Sequence, residues 1–344
     1  MEESIFISRE ERCRILSVDH LADIAPLLGG ESELFLVYDD KLGPAAGEII
    51  KALPVRGAIG LEASEQGKNL ETVAALCRQL MEAGASRNAL LLALGGGTIT
   101  DIAGFAAAIY KRGIRCAFIP TTVLSMADAA IGGKNGVNLD GYKNMLGTIV
   151  QPQQVFICPE VLGTLPPREW KCGLAEVAKT LFLADAPAYA ALVGEAPEMP
   201  SALLPFVLKA AAIKAGIVRE DPFEKGARIK LNLGHSFAHA IEHAAAEEGD
   251  DISHGEAVAI GIILAAKLSE AQGIASEGLA QRLEADFTRL GLPTACPYGM
   301  QQLLPALRND KKGQDGKLRY VLPEAPGKVV LKNLNPDDLH LDTE

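Results

Sequence analysis

Ala89–Ile119, ALLLALGGGTITDIAGFAAAIYKRGIRCAFI, decides the fold. Ala89–Leu94 is an unbroken apolar run of strand length that stops at Gly95-Gly96-Gly97. Thr98–Tyr110 follows with helical spacing, and Cys116–Ile119 is a second apolar run, stopped by Pro120. Strand, helix and strand in so short a stretch make a βαβ unit, whose two strands lie parallel. Working outward, Leu34–Asp39 (LFLVYD) and Ala58–Leu61 read as strands, and Lys41–Ala52 as a helix. Asn69–Ala83 is an amphipathic helix through Val73, Leu76, Leu80 and Met81, and Val155–Cys158 is one more strand. The alternation predicts a largely parallel sheet in an α/β fold.

Past about residue 165 the texture changes. Pro166–Ala184, Ser201–Val218, His235–Glu248, Gly255–Gln272 and Glu277–Leu290 carry Ala- and Leu-rich helical patterns. Only Leu318–Leu322 and Lys328–Leu331 return to strand-like runs. The expected boundary therefore falls near Pro159–Pro166, giving an α/β domain over 1–163 and a mainly α-helical domain over 164–344.

With 344 residues, two domains are the natural expectation, and 48% hydrophobic against 22% charged residues is the make-up of a globular protein rather than a disordered one. The 33 basic and 44 acidic residues leave a net charge of −11, which argues against a general nucleic-acid binder. A local cationic pocket for a small anion stays compatible with that balance. The start, MEESIFISREER, is acidic where a secretion signal is basic and then apolar. No uncharged apolar stretch of membrane-spanning length occurs, so no membrane partner is expected. The six cysteines include no CxxC pair and read as reduced thiols of a cytoplasmic protein.

Three groups of residues carry chemistry. The glycine triplet sits where a strand turns into a helix, a place that lets backbone approach a pyrophosphate, or that makes a tight turn binding nothing. Asp39, ending an early strand, suits a ribose hydroxyl or a turn equally well. His235, His239 and His243 recur every four residues on one helix, and His254 follows, just ahead of Gly255-Glu256. Imidazoles with carboxylates suit Zn²⁺ with an open position, and spacing alone picks His235 and His239 as the ligand pair. The third group is cationic. Lys134 and Lys143 flank Gly- and Asn-rich loops, where an ammonium can meet phosphate or carboxylate, and Lys179 shares a helix face with Glu176.

GGGTITDIAGFAAAIYKRG (Gly95–Gly113), PTT (Pro120–Thr122), DAAIGGKNGVN (Asp128–Asn138), KN (Lys143-Asn144) and TLPPRE (Thr164–Glu169) occur in order. GLAEVAK (Gly173–Lys179), ARIKLNLGHSFAHAIEH (Ala227–His243), HGEAVAIG (His254–Gly261) and DKK (Asp310–Lys312) follow at compatible spacing. Together, from about Leu34 to Leu331, they resemble the 3-dehydroquinate synthases of the sugar-phosphate cyclase superfamily. Two positions depart from the usual pattern, Ala130 for Ser and Ser236 for Thr, and neither removes a charge or a ligand.

The resemblance implies an N-terminal Rossmann-like NAD-binding domain and a C-terminal all-helical metal- and substrate-binding domain, in a homodimeric lyase using NAD and Zn²⁺ or Co²⁺. The implied metal ligands are Glu176, His235 and His254, which makes His239 an active-site residue instead of a ligand. Implied catalytic residues are His239, Lys179, Lys134 and Asp128. Substrate is expected at Arg112, Lys134, Lys143, Asn144, Lys179, Lys214, Arg228, Asn232, His239, Lys311 and Lys312, with Arg112 reaching toward a neighbouring subunit. NAD is expected at Asp39, Glu65, Lys68, Gly96, Gly97, Asp101, Thr121, Thr122, Lys134, Lys143, Thr164, Leu165 and Glu169. Sibling cyclases making 2-deoxy-scyllo-inosose or valiolone-type products share fold and cofactors, so only substrate-end residues distinguish them. A glycerol-dehydrogenase-like oxidoreductase is the rival from another reaction class, and it needs no phosphate-binding lysines.

Overall fold

The computed structural model describes residues 13–28, 30–140, 142–309 and 318–339. The chain forms two compact units, residues 1–121 with 129–161, and residues 122–128 with 162–344. Thr122–Asp128 joins the second unit through a tight contact at Gly173, where a Cβ would lie 2.4 Å from the backbone nitrogen of Leu124.

In the first unit, β1 (Arg14–Ser17), α1 (Ala25–Leu28), β2 (Leu34–Asp39), α2 (Gly43–Ala52), β3 (Val55–Leu61) and α3 (Leu70–Glu82) lead into the central βαβ. That consists of β4 (Leu90–Gly95), α4 (Gly97–Ile109) and β5 (Arg115–Pro120), followed by β6 (Lys134–Leu139), β7 (Tyr142–Ile149) and β8 (Gln154–Ile157). Six strands make one parallel sheet in the order β1-β8-β5-β4-β2-β3. Every residue of β4 is buried, the mark of a central strand covered on both faces. Phe35, Val37, Leu91, Ala93, Phe118 and Val155 point to one side and pack with Ile99, Ile102, Ala103 and Ala106 of α4. The strand order reverses between β2 and β4, so their carboxyl ends open a crevice at the switch point, the place where such sheets bind ligands.

The sequence reading of a loop around Lys134 and Lys143 is corrected. β6 and β7 form an antiparallel hairpin, with Gly136 opposite Gly147. Gly and Asn disfavour strands, which hid the pattern. Here the glycines are required, because a Cβ at Gly147 would lie 2.8 Å from the carbonyl oxygen of Asn135. Gly104 plays the matching part on α4, where a Cβ would meet Asn135 Oδ1 at 2.2 Å. The short edge strand β1 also escaped the sequence reading.

The second unit contains α5 (Pro167–Ala184), α6 (Ala186–Glu195), α7 (Pro200–Glu220), α8 (His235–Glu248) and α9 (His254–Ala271). It continues with α10 (Leu279–Arg289), α11 (Met300–Asn309), β9 (Leu318–Ala325) and β10 (Lys328–Leu334). β9 and β10 form an antiparallel hairpin, so the helical half carries one two-stranded sheet where the strand-like runs were expected. α6 and α11 had no reading in the sequence; α6 starts where Asp185 accepts from the Ala188 amide at 3.0 Å, and α11 contains Pro305. α9 is buried along most of its length, as the axis of a helical core must be.

One expectation needs qualification. Ser201–Glu220 within α7 is long and apolar enough to cross a membrane by length and composition. It carries Lys209 and Lys214, and Leu203, Val207, Ala210 and Ala211 bury one face of it. All six cysteines are free thiols, as their spacing predicted.

Candidate active site

Two glycine contacts bring α5, α8 and α9 together. Gly234, with φ +79°, precedes α8 and packs on α9, where a Cβ at Gly261 would lie 2.3 Å from the Gly234 carbonyl oxygen. Gly255, at the start of α9, leaves only 2.2 Å between such a Cβ and the Cys172 carbonyl oxygen of α5. Its amide donates to the Cys172 thiol at 3.1 Å. These approaches place the first residues of α8 and α9, His235 and His254, beside Glu176 in the middle of α5.

Glu176 Oε1 lies 3.5 Å from His235 Nε2 and 3.3 Å from His254 Nε2, and the three donor atoms fall within 4.8 Å of one another. Tetrahedral zinc at ordinary bond lengths separates its nitrogen and oxygen donors by about 3.4 Å. Glu176 is fully buried, and neither carboxylate oxygen has a hydrogen-bond partner within the protein. Lys179 Nζ stands 2.5 Å from Oε2 as a buried ion pair. Lys179 supplies one counter-charge at Oε2, while Oε1 faces the two imidazoles. The donor set and its spacing fit a divalent ion.

Ring orientation is set from behind. His235 Nδ1 is 3.2 Å from the Leu233 carbonyl, and His254 Nδ1 is 3.4 Å from Glu242 Oε1, which turns both Nε2 atoms toward Glu176. The spacing-based choice of His239 as His235's partner ligand is corrected: its ring lies edge-on to His235 at 5.7 Å, outside the converging group. Here the converging atoms come from three separate helices, α5, α8 and α9. Glu242, two turns beyond His235, was missed; its position on the same helix face was the available signal.

Electrostatics split the two imidazoles. Burial, then Lys179, push His235 down to about 3, so it is neutral. Burial opposes charge on His254 too, but the Glu176 and Glu242 carboxylates, one beside each ring nitrogen, outweigh it and raise His254 to about 10. Burial disfavours the Glu176 carboxylate, yet Lys179 and the two histidines hold it well below its usual range.

A cationic cluster adjoins this group. Lys214 Nζ reaches Asp128 Oδ1 at 2.8 Å and donates to its carbonyl at 2.6 Å. Burial and the nearby Lys179 and Arg228 lower Lys214, with Asp128 opposing. Burial works against the Asp128 carboxylate, but Lys214 and Lys179 hold its pKa down. Arg228 is buried and donates to the Pro222 carbonyl at 2.8 Å. Asn232 donates to Glu224 Oε1 at 2.9 Å. Glu224, also missed in sequence, has φ +56° in a loop pinned by Asp221, whose carboxylate accepts the amides of Lys225, Gly226 and Arg228. Lys179, Lys214 and Arg228 in one buried neighbourhood can hold an anion.

In the first unit, the expected cofactor residues line the carboxyl edge of the sheet. Asp39 ends β2, Gly96 and Gly97 open α4 after β4, and Thr121 follows β5 with its amide on the Gly95 carbonyl. Gly96 caps α4 without a side chain, leaving the first amides of that helix open to an anion. Asp39 Oδ1 also accepts from the Lys41 amide, the turn role foreseen for it. Lys68 is buried between Asp101 Oδ2 at 2.5 Å and Asn144 Oδ1 at 2.6 Å, and Asn138 joins Glu65 at 2.8 Å. Expected cofactor and phosphate residues thus share one network.

Lys134 and Lys143 are exposed on the β6–β7 hairpin. Lys111 and Arg112 adopt φ +49° and +68° in succession, strain of a kind that clusters at functional sites, and Arg112 is exposed. Thr122 Oγ1 is bonded to Ser125 Oγ at 2.9 Å. Thr164 ends a 3-10 turn before α5, Leu165 donates its amide to Leu162, and Glu169 lies exposed in the first turn of α5. Lys311 and Lys312 lie outside the described residues.

Comparison with known proteins agrees with this layout. Residues 58–172 match the family model of the 3-dehydroquinate synthase N-terminal region, and residues 173–313 match that of its C-terminal region. The 3-dehydroquinate synthase of Xanthomonas campestris pv. campestris (strain 8004) is 40% identical over 312 residues, covering 86% of this chain and 84% of its own. Among solved structures, ValA (2-epi-5-epi-valiolone synthase) from Streptomyces hygroscopicus subsp. jinggangensis 5008, with NAD⁺ and Zn²⁺ bound, superposes with a TM-score of 0.88 at 30% identity over 97% of this chain and 96% of that one. A 2-deoxy-scyllo-inosose synthase complexed with carbaglucose-6-phosphate, NAD⁺ and Co²⁺ gives 0.82 at 25% identity, with 94% of each chain covered. With both family models matched across most of its length, the chain belongs to the 3-dehydroquinate synthase family.

Proposed function

We propose that this chain converts 3-deoxy-D-arabino-heptulosonate 7-phosphate to 3-dehydroquinate and phosphate, the second step of the shikimate pathway, with NAD and a divalent metal ion, Zn²⁺ or Co²⁺. The observation that carries the reading is the convergence of Glu176, His235 and His254 beside a buried cationic cluster, in a chain of this family. When bound, NAD would supply reversible hydride acceptance at the substrate's C5 hydroxyl, and the divalent ion would supply polarisation of that hydroxyl.

Glu176, His235 and His254 would hold the ion. His239, edge-on to His235, is the proposed base for the hydroxyl proton. Lys214 and Arg228 would clamp the substrate carboxylate, with Asp128 holding Lys214 in place and Lys179 beside them. Lys134, Lys143, Asn144, Asn232, Arg112 and one of Lys311 and Lys312 would bind the phosphate end. Orientation of the leaving phosphate then supplies much of the rate. Asp39, Glu65, Lys68, Gly96, Gly97, Asp101, Thr121, Thr122, Thr164, Leu165 and Glu169 would bind NAD, supported by the switch-point crevice between β2 and β4. A homodimer in the cytoplasm completes the proposal; exposed Tyr142, Met145 and Ile149 on β7 are apolar surface that a second copy would cover.

The resemblance to the valiolone and inosose synthases keeps one sibling reading in view, since those enzymes share the architecture. Phosphate release from 3-deoxy-D-arabino-heptulosonate 7-phosphate with NAD⁺ and Zn²⁺ tests the choice. Turnover that stops on chelation and accumulates no NADH supports the proposal. No release by metal-loaded protein, with release from sedoheptulose 7-phosphate or glucose 6-phosphate, would replace it with the sibling activity.

A further inference from the structure

One residue outside the metal group touches the start of α9 from the start of α5. Arg168 lies in the first turn of α5, about two turns before Glu176. Its Nε is 3.2 Å from Glu256 Oε1 and its Nη2 is 2.7 Å from Oε2 of the same carboxylate. Nη2 also donates to the Asp251 carbonyl at 2.5 Å, and Nη1 to the Asp251 carboxylate. All three nitrogens of the fork are therefore engaged, on residues three before and two after His254.

The surrounding bonds make that grip consequential. Glu256 is the third residue of α9, and its Oε2 accepts the Ser253 amide at 2.7 Å while Ser253 Oγ accepts the Glu256 amide at 3.4 Å. This reciprocal cap fixes where α9 begins, and His254 is the first residue of that helix. The preceding link leaves α8 through Gly249, with φ +78°, and is pinned again where the Tyr298 hydroxyl donates to Asp250 at 2.7 Å. A helix start fed by a glycine turn has open amides and frays unless it is held. The Arg168 side chain is 43% exposed and Asp251's 88%, so the Asp251 pair contributes little to overall stability. What the fork controls is position, and a metal centre requires its donors within about 0.5 Å of the productive geometry.

We propose that Arg168 is a positioning residue for the metal centre: by bridging Asp251 and Glu256 it locks the start of α9, so that His254 Nε2 meets Glu176 Oε1. The inference rests on Glu176, His235 and His254 being the metal site. Zn²⁺ affinity, measured by competition with a chromophoric chelator, and the visible spectrum of the Co²⁺-loaded protein test it. Arg168→Gln is expected to bind Zn²⁺ about tenfold more weakly, as loss of an outer support does, with an altered Co²⁺ spectrum. Arg168→Lys keeps the charge without the fork and recovers only part of the affinity. Asp251→Asn weakens one arm at an exposed position and is expected to show a smaller loss of the same kind. Arg289→Ala, which removes bonds to the Val193 and Gly194 carbonyls at the end of α6, controls for general destabilisation and should bind Zn²⁺ like the parent. If Glu176→Gln loses the metal while Arg168→Gln and Asp251→Asn stay within twofold of the parent, the positioning role is refuted. If Glu176→Gln also stays within twofold, the metal-site reading itself fails.

Discussion

Metal binding should be strongly linked to pH, and the link follows from the two different imidazoles. In the metal-free protein His254 is protonated up to about pH 10, because its contacts with Glu176 and Glu242 outweigh its burial. A ligand must be neutral to coordinate, so each ion bound displaces one proton from His254. His235, held down to about 3, is already neutral and releases none. Between pH 6 and 8 the apparent affinity should therefore rise tenfold per unit, about 100-fold in all. A histidine of ordinary pKa would give only about fourfold over that range. Chelator competition with Zn²⁺ at several pH values reads the slope. Calorimetric titration in buffers of different ionisation enthalpy counts the protons, expected to be close to one at pH 7.5. An affinity that flattens above pH 7, with no proton released at pH 7.5, would refute the pairing of His254 with Glu176 and Glu242.

Further expectations concern the same groups. Metal-free protein should be most stable near pH 6.5 as far as these two histidines decide: below it the unfolded chain protonates His235, and above it the unfolded chain gives up the His254 proton that the folded protein keeps until about pH 10. Added Zn²⁺ should flatten the alkaline limb, which thermal melts across pH can check. Glu242→Gln, removing the carboxylate behind His254, should weaken metal binding by about 10- to 100-fold; unchanged affinity in the chelator assay would contradict the orienting role. Lys214→Met strands the Asp128 carboxylate and should cost about 3 kcal/mol in urea unfolding, with part of it regained in the Asp128→Asn double variant. Gly255→Ala drives a Cβ into the Cys172 backbone at 2.2 Å and should cost at least about 2 kcal/mol, so an unchanged urea midpoint would show that α5 and α9 can part there.

The elements that were legible in the sequence are those that local physics controls. Ala89–Ile119 declares strand, turn, helix and strand, because apolar periodicity and a glycine break act over a few residues; β4, α4 and β5 form within a residue or two of the reading. His235–Glu248 is a helix with the bounds its pattern suggested, closed by Gly249 in the left-handed region. The resemblance carried the metal set further than spacing did, for periodicity along α8 pointed to His235 with His239. Strand order was not legible, since pairing of β2 with β4 depends on residues far apart in the chain. Nor was the β6–β7 hairpin, whose glycines look like loop until Gly136 and Gly147 are seen opposite each other.

The sequence by itself determined the α/β-then-helical order, the acidic character of the chain, and the residue types on offer: imidazole, carboxylate, ammonium and a glycine-rich turn. Tertiary structure decided which of them meet. Glu176, His235 and His254 stand on three helices separated by up to 78 positions, and only the side-chain-free contacts at Gly255 and at Gly234 with Gly261 let those helices come close enough. The protonation of His254 and the grip of Arg168 on the start of α9 arise the same way, because charge and coordination depend on distance through space, which no local pattern in the chain encodes.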